Sequence, residues 1–272
     1  MLTARFTDGE VRGEANAVVP WWSFGKTVLA AAALRLVAEG RLALDVPLAG
    51  YGFTLRALLQ HCAGMPDYGA LPMYHAAVAR KDMPWTMTEM LANVAPLPAP
   101  RGWRYSNVGY FRLREVLEHA EGADLETILR RLVPVKLART PDDLAACAWG
   151  NPHAYHPGWV YHGLLLGTPT AAVTFLRDLL CGNILPADLR AEMMQPFDLG
   201  ESFPHRPWRS TGYGLGLMIG DMANAGRALG HSGAGPGSVA AVYYFPDRDV
   251  AFAAFAEGDD EGVAEWAVAR AI

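Results

Sequence analysis

"WWSFGKTVLAAAALRLVAEG", residues 21–40, is an apolar run closed by Gly40, with one lysine a turn inside its start. Its alanines, leucines and closing glycine predict a helix from about Ser23 to Glu39. A helix that is apolar all round is a buried one, and burying an ammonium is costly. Lys26 therefore needs a reason. Ser23 stands three residues before it, on the same helical face and one turn away. It also falls near the helix N-terminus, where free N–H groups and the helix dipole favour developing negative charge. Desolvation lowers an ammonium pKa from about 10.4 towards neutrality, and a shift of ~3 units corresponds to roughly 4 kcal/mol. A neutral lysine amine beside a serine hydroxyl is an activated nucleophile pair. The competing reading is an N-cap serine with a lysine that snorkels to the surface.

The rest of the chain sets bounds on that reading. It has 272 residues, enough for a sizeable core. Hydrophobic residues make up 51% and charged residues 19%, which excludes a disordered chain. The net charge is −5, with no basic run to suggest nucleic acid or an anionic membrane. The run after Lys26 is broken by Arg35 and Glu39, too short and too charged to span a bilayer. "MLTARFTDGEVRGEANAVV" has no cationic start followed by an apolar stretch, so no signal peptide and a cytoplasmic location are expected. Cys62, Cys147 and Cys181 are odd in number and lack metal-like spacing, which suits free thiols in a reducing compartment.

Along the chain, β-like runs flank Asp8-Gly9 as in a hairpin. After the opening helix come a short helix in "TLRALLQHCAG" (54–64), a loop-rich stretch (65–86), and a helix in "TEMLANVAPL". The Pro/Gly connector "PLPAPRGWRYSN" (96–107) precedes two further helical patterns. "TPTAAVTFLRDLLCGN" reads as a helix with Thr168 as N-cap, Pro169 at its first position and Gly182 as its stop. From about residue 211, "GYGLGLMIGD", "RALGHSGAGPGSVAAVYYFP" and "VAFAAFAEG" read as three strands, followed by a closing helix. The order implies an antiparallel sheet with helices on it, its halves separated by a helical insertion. The expected division is 1–50 with 165–272 as an α/β sheet domain, and 51–164 as a mainly helical subdomain, with the active site between them.

Two further stretches carry chemistry. In "RYSNVGY", the Tyr105 hydroxyl beside a lysine can act as a base or relay a proton, and Asn107 offers a substrate amide both a donor and an acceptor; equally, Ser106 or Asn107 caps the next helix. In "LGHSGAGPG" (229–237), small residues allow close backbone approach and leave N–H groups for an oxyanion, or simply make a tight strand connection. "GHSGA" around Ser232 has the look of a nucleophile elbow, but no His follows His231 and no alternating β-α pattern runs along the chain, which excludes an α/β-hydrolase. His153, His156 and His162 lie in a loop without the tight spacing of a zinc site, so they are read as solvent or pocket-lining residues. Trp21, Trp22, Trp103, Tyr155, Trp159 and Trp208 are candidates for an aromatic pocket, or for plain core.

Ser-x-x-Lys, then Tyr-x-Asn about eighty residues on, then His-x-Gly near the end, resembles the β-lactamase and penicillin-binding-protein superfamily of serine hydrolases. The class C-like branch is matched most widely. "LRALLQHCAGMPDY" is similar to its LLxHxSGLPDY segment, "PRGWRYSNVGYFRL" to its PG-x-x-W-x-YSN-x-GY-x-x-L, and "YGLGLMIG…RALGHSGAGPGSVAAVYYFP" to its C-terminal sheet. The resemblance covers nearly the whole chain. It implies an α+β, β-lactamase/transpeptidase-like fold: an antiparallel five-stranded sheet with flanking helices and a helical subdomain. It also implies roles: Ser23 the acylated nucleophile, Lys26 its base partner, and Tyr105 the proton acceptor for acylation or the activator of the deacylating water. Asn107 would hold the acyl side, with His231 on the edge strand and Gly233 beside the substrate. The backbone N–H groups of Ser23 and Ala234 would form the oxyanion hole.

This sequence departs from the penicillin-recognising pattern at His231-Ser232-Gly233, where those members carry Lys-Thr-Gly. A lysine supplies a permanent charge for a substrate carboxylate, whereas histidine is mostly neutral at pH 7. The His-bearing branch resembles esterases, D-amino-acid amidases and aminopeptidases. With only 22 residues before Ser23, the family's N-terminal helix and part of its first strands are expected to be missing, trimming that edge of the sheet. The resulting expectation is a serine hydrolase of esters or amides of small molecules, without metal or cofactor. The alternatives are an acyltransferase using the same acyl-enzyme, a true β-lactamase, and a non-catalytic ligand-binding member.

Overall fold

The computed structural model describes residues 1–99, 101–150, 155–182, 184–200 and 203–272. The chain opens with the hairpin β1 (Leu2–Thr7) and β2 (Glu10–Gly13), followed by β3 (Val19–Pro20), a 3-10 turn (Trp22–Phe24) and α1 (Gly25–Ala38). Then come α2 (Leu55–Leu59), α3 (Pro72–Ala79), α4 (Met87–Val94), α5 (Asn107–Glu121), α6 (Leu125–Arg130), β4 (Lys136–Ala138), α7 (Pro141–Ala145) and β5 (Leu164–Gly167). The C-terminal part holds α8 (Pro169–Cys181), α9 (Ala187–Met193), β6 (Phe197–Asp198), β7 (Trp208–Tyr213), β8 (Met218–Met222), β9 (Gly226–Gly235), β10 (Ser238–Phe245), β11 (Val250–Glu257) and α10 (Glu261–Ala271).

The main sheet is antiparallel in the order β2-β1-β11-β10-β9-β8-β7-β6. It therefore has eight strands rather than five, because the N-terminal hairpin closes one edge and β7 and β6 extend the other. The sheet is not trimmed at its N-terminal edge: β1 pairs with β11 from Leu2↔Phe255 to Phe6↔Ala251, and β2 flanks it. The three strands expected after residue 211 are likewise five, β7 to β11. "RALGHSGAGPGSVAAVYYFP" folds back on itself at Pro236-Gly237, where Gly237 takes φ +89. That chain reversal was hidden because "SVAAVYYF" is apolar throughout, with no period of two. Both faces of β10 are covered: Val239, Ala241, Tyr243 and Phe245 pack with α10, while Ala240, Val242 and Tyr244 join the larger core with α1 and α8.

α1 is buried at every residue from Gly25 to Leu34, so its uniform apolarity reflects a central helix. It begins at Gly25 rather than Ser23, because Trp22–Phe24 tighten into a 3-10 turn. The helix expected over 169–181 forms as read: Thr168 caps it by accepting from Ala171 N at 3.2 Å, with Pro169 first. A second, three-stranded sheet, β3-β5-β4, ties the segment before Ser23 to the segments around residues 136 and 164. None of the described helices is long and apolar enough to cross a membrane.

Candidate active site

Ser23 sits in the 3-10 turn between β3 and α1. Trp21 N donates to Leu165 O at 2.9 Å, which registers the turn against β5. Trp22, just before Ser23, takes the left-handed conformation at φ 42. A bulky residue there costs of order 1–3 kcal/mol and persists only where its surroundings force it. Here the indole is buried, donates to Ser238 Oγ at 2.9 Å, and lies where a Cβ on Gly235 would collide with it. The strained turn presents Ser23 at the surface of a cleft.

Lys26 is wholly buried, and its Nζ donates to Ser23 Oγ at 3.1 Å. Desolvation dominates, so its pKa falls to about 7, with Asp67 and Glu261 pulling weakly the other way. Tyr105 OH donates to the same Ser23 Oγ at 2.8 Å, and Lys26 Nζ lies 5.0 Å from the Tyr105 ring centroid. Desolvation pushes the Tyr105 phenol well above its ordinary pKa.

The Tyr105-Ser106-Asn107 stretch is held by a second segment. Ser106 caps α5 by accepting from Gly109 N at 3.0 Å, and donates to Pro66 O at 2.8 Å. Ser106 N donates to His61 Nδ1 at 3.1 Å, Asn107 N to Asp67 Oδ1 at 2.9 Å, and Arg104 N to His61 O at 2.9 Å. Ser106 is thus the cap of α5, and the residue before it, Tyr105, meets Ser23.

β9 brings the third group. β8 pairs only with Gly226–Gly230, so β9 is an interior strand there and an open edge from His231 to Gly235. That open half lies against the 3-10 turn: a Cβ on Gly233 would stand 2.5 Å from Ser23 N. His231 is buried; its Nδ1 donates to Ser232 O, and Tyr213 OH donates to its Nε2 at 2.9 Å. Burial pushes its pKa down to about 3, so it is neutral. Ala234 lines the cleft beside Ser23.

The cleft has two lobes, and Ser23, Asn107 and Ala234 line both. The larger, about 400 Å³, is walled by Trp103, Tyr105, Phe203, Trp208, Tyr213 and Met218, with Arg206 and Glu261. The smaller, about 130 Å³, is walled by Trp22, Tyr68, Tyr74, Tyr155 and His162. Four of the six candidate aromatics therefore face the cleft, while Trp21 and Trp159 are core. Behind the larger lobe, Arg206 pairs with Glu265 (Nε–Oε2 2.6 Å) and with Glu261 (2.9 Å). Glu265 also accepts from Trp208 Nε1 at 3.0 Å and from Ser232 Oγ.

With the serine, amine, phenol, asparagine and edge strand in place, the family match is decisive: the Beta-lactamase family pattern fits residues 6–272. The chain belongs to the β-lactamase family. No curated protein matches it. Among solved structures, this β-lactamase-family chain is similar to a D-amino acid amidase from Ochrobactrum anthropi SV3 complexed with D-phenylalanine. The TM-score is 0.81 at 21% identity, over 98% of this chain and 95% of that one. A D-stereospecific amidohydrolase from Streptomyces sp. gives 0.77 at 23% identity, over 97% and 93%. An octameric penicillin-binding protein homologue from Pyrococcus abyssi gives 0.75 at 18%, over 99% and 72%. At these identities the likeness is one of fold: the chain has the α+β β-lactamase/transpeptidase fold, in a family of hydrolases.

Of the loop histidines, His162 lines the smaller lobe, as a pocket-lining reading expects, but its Nε2 also lies 3.2 Å from Lys26 Nζ, a contact the spacing does not show. His156 instead caps the 3-10 turn Pro157–Trp159, and His153 lies outside the described residues. Among the described residues no group of three or more His, Cys, Asp and Glu is arranged to hold a metal ion. His61, Asp67 and Glu265 were also not singled out. His61 and Asp67 fall inside "LRALLQHCAGMPDY", but their partners Ser106 and Asn107 lie 45 and 40 residues on, and Glu265 meets Trp208 across 57, which no local pattern reports.

Proposed function

We propose that this protein is a serine hydrolase that cleaves an ester or amide through a covalent acyl-Ser23 intermediate. The observation that carries the reading is the pair of contacts on one oxygen: Ser23 Oγ lies between Lys26 Nζ at 3.1 Å and Tyr105 OH at 2.8 Å. With a pKa near 7, Lys26 has a neutral fraction at physiological pH. That amine takes the Ser23 proton as Oγ attacks the acyl carbon. The N–H groups of Ser23 and Ala234 receive the oxyanion. The intermediate collapses as the leaving amine or alkoxide takes a proton passed from Lys26 through Tyr105. Water then repeats the attack on the ester, giving its proton to Lys26, and the acid is released. Tyr105 serves here as a proton donor and relay. Its raised pKa keeps the phenol protonated, which disfavours the role of resting-state proton acceptor.

The substrate class follows from charge and likeness. His231 is neutral with both ring nitrogens engaged, so it offers no fixed cation to a carboxylate. Around Arg206 stand two carboxylates, Glu261 and Glu265, and Glu261 faces the larger lobe. A lobe with aromatic walls and a carboxylate suits a substrate carrying an apolar side chain and an ammonium group. Together with neighbours named as D-amino acid amidases, this favours amino acid amides or esters over β-lactams.

The test is to incubate the protein with a fluorophosphonate and look for a mass adduct on Ser23. Phenylalanine amides of both hands, p-nitrophenyl esters and nitrocefin are then assayed. An adduct with amide or ester turnover supports the reading. An adduct that clears only when an amine or alcohol is supplied means acyl transfer. Nitrocefin as the best substrate means a β-lactamase, and no adduct overturns the nucleophile.

A further inference from the structure

One buried imidazole beside Lys26 has no part in the steps above. His162 is 3% exposed, and its Nε2 lies 3.2 Å from Lys26 Nζ. Its other ring nitrogen, Nδ1, has no hydrogen-bond partner among the described residues. A buried polar group left unpaired costs about 1–3 kcal/mol, and an apolar side chain would fill the same place without that cost. We propose that His162 is the positioning residue of the base: its Nε2 accepts one N–H of the neutral Lys26 amine and so turns the amine lone pair onto Ser23 Oγ. The proposal rests on the reading of Lys26 as the base.

A neutral amine has two N–H bonds and one lone pair, and it rotates about Cε–Nζ among three staggered settings. Only one of these presents the lone pair to Ser23. Ser23 Oγ accepts from Tyr105 OH and, while Lys26 is an ammonium, from Nζ; once the amine is neutral, the serine turns its own proton to the Nζ lone pair. The rings of Tyr105 and Tyr110, 5.0 and 5.8 Å from Nζ, attract a cation but fix no single N–H direction. The His162 nitrogen supplies that direction.

His162 is also well chosen electrically. Desolvation, helped by the charge of Lys26, holds its pKa well below the ordinary value, so it stays neutral. A carboxylate in its place would hold Lys26 as the ammonium, raising its pKa and removing the base. A neutral acceptor favours the ammonium far less than a carboxylate would, so it orients the amine while leaving it able to lose its proton. The backbone fixes the arrangement: His162 precedes Gly163 (φ +99) and β5, and β5 pairs with β3, which leads directly to Ser23. The turns that carry Ser23 and His162 are therefore anchored to neighbouring strands of one small sheet.

The charged and titratable surroundings of Lys26 are Ser23 on its own segment, Tyr105 and Tyr110 from around α5, and His162 from before β5. Asp67, Glu261, His61 and His231 act at longer range. Of these, His162 is replaced to make the test. His162→Leu keeps bulk and removes the acceptor, whereas His162→Gln keeps an acceptor at similar reach. The readout is the rate of Ser23 labelling by a fluorophosphonate across pH, with the ¹⁵N shifts of His162 measured in the unaltered protein.

His162→Leu is expected to slow labelling about tenfold or more. Its acid limb should move to lower pH, because the ammonium loses an acceptor that favoured the charged form. His162→Gln should recover most of the rate, and the ¹⁵N spectrum should place the proton on Nδ1. The proposal is overturned by wild-type labelling with an unmoved limb in His162→Leu, or by a folded His162→Gln as slow as His162→Leu. A proton on Nε2 in the unaltered protein overturns it too, a readout that holds even if His162→Leu fails to fold. Lys26→Arg separates the two readings: labelling that survives there removes Lys26 as base, whatever His162 does.

Discussion

Tyr105 donates its hydroxyl to Ser23 across 82 residues of sequence, at 2.8 Å, from a turn that Ser106 holds by capping α5. Ser23 Oγ thus takes one partner from a turn next to a helix cap and the other from the helix that carries Lys26.

Lys26→Arg should abolish acylation of Ser23. Arginine keeps its proton at any workable pH and cannot act as base. Loss of a general base costs about 10²–10⁴-fold. Mass spectrometry of the fluorophosphonate adduct measures it, and a Lys26→Arg protein labelled at the wild-type rate would remove the base assignment.

The reaction should rise with pH through about 7, the pKa to which burial brings Lys26, because the neutral amine is the active form. Stability should follow the same proton. Lys26 has a folded pKa below its unfolded value, so between about 7 and 10.4 the unfolded chain binds more protons and stability climbs with pH. The penalty is full below about pH 7 and relieved above about 10.4. Thermal unfolding measured from pH 7 to 9.5 should show this slope, and Lys26→Met should flatten it.

Gly233→Ala should leave the fold largely intact and lose at least about 100-fold in activity, the scale on which a small misplacement of the reacting groups acts. The added Cβ would lie 2.5 Å from Ser23 N and 2.8 Å from Trp22 Cβ, forcing β9 away from the nucleophile. Circular dichroism and ester turnover on the same preparation distinguish a displaced site from an unfolded protein.

Ser106→Ala should cost about 1–2 kcal/mol of stability, since it deletes an N-cap and leaves Pro66 O without its donor. Chemical denaturation gives that figure. Because Tyr105 loses its support, turnover should also fall; unchanged turnover would mean that the cap does not aim Tyr105.

Glu261→Gln should weaken binding of substrates with a free ammonium while sparing their N-acetyl counterparts. Glu261 lines the larger lobe, ion-paired on one side to Arg206. The change expected is a KM increase of about 5- to 30-fold for phenylalaninamide, measured against N-acetyl-phenylalaninamide. Equal effects on both would deny Glu261 the role of reading charge.

Much of this protein is legible before folding is considered. The buried α1, its lysine, Thr168 as a helix cap and the order of Ser23, Lys26, Tyr105, Asn107 and His231 are set by local spacing and side-chain chemistry, which a one-dimensional reading can weigh. The strand count was not, because a strand covered on both faces has no alternation and β10 merged with β9 into a single apolar run. Nor could spacing show that Tyr105 reaches Ser23, that Asp67 and His61 hold its turn, or that His162 meets Lys26 from 136 residues away. Those relationships come from pairing β5 with β3 and packing α5 against α1. The sequence determined which groups are available and left Lys26 either buried or snorkelling from the first turn. The tertiary structure decided what surrounds the amine, and with it the desolvation that brings its pKa to about 7.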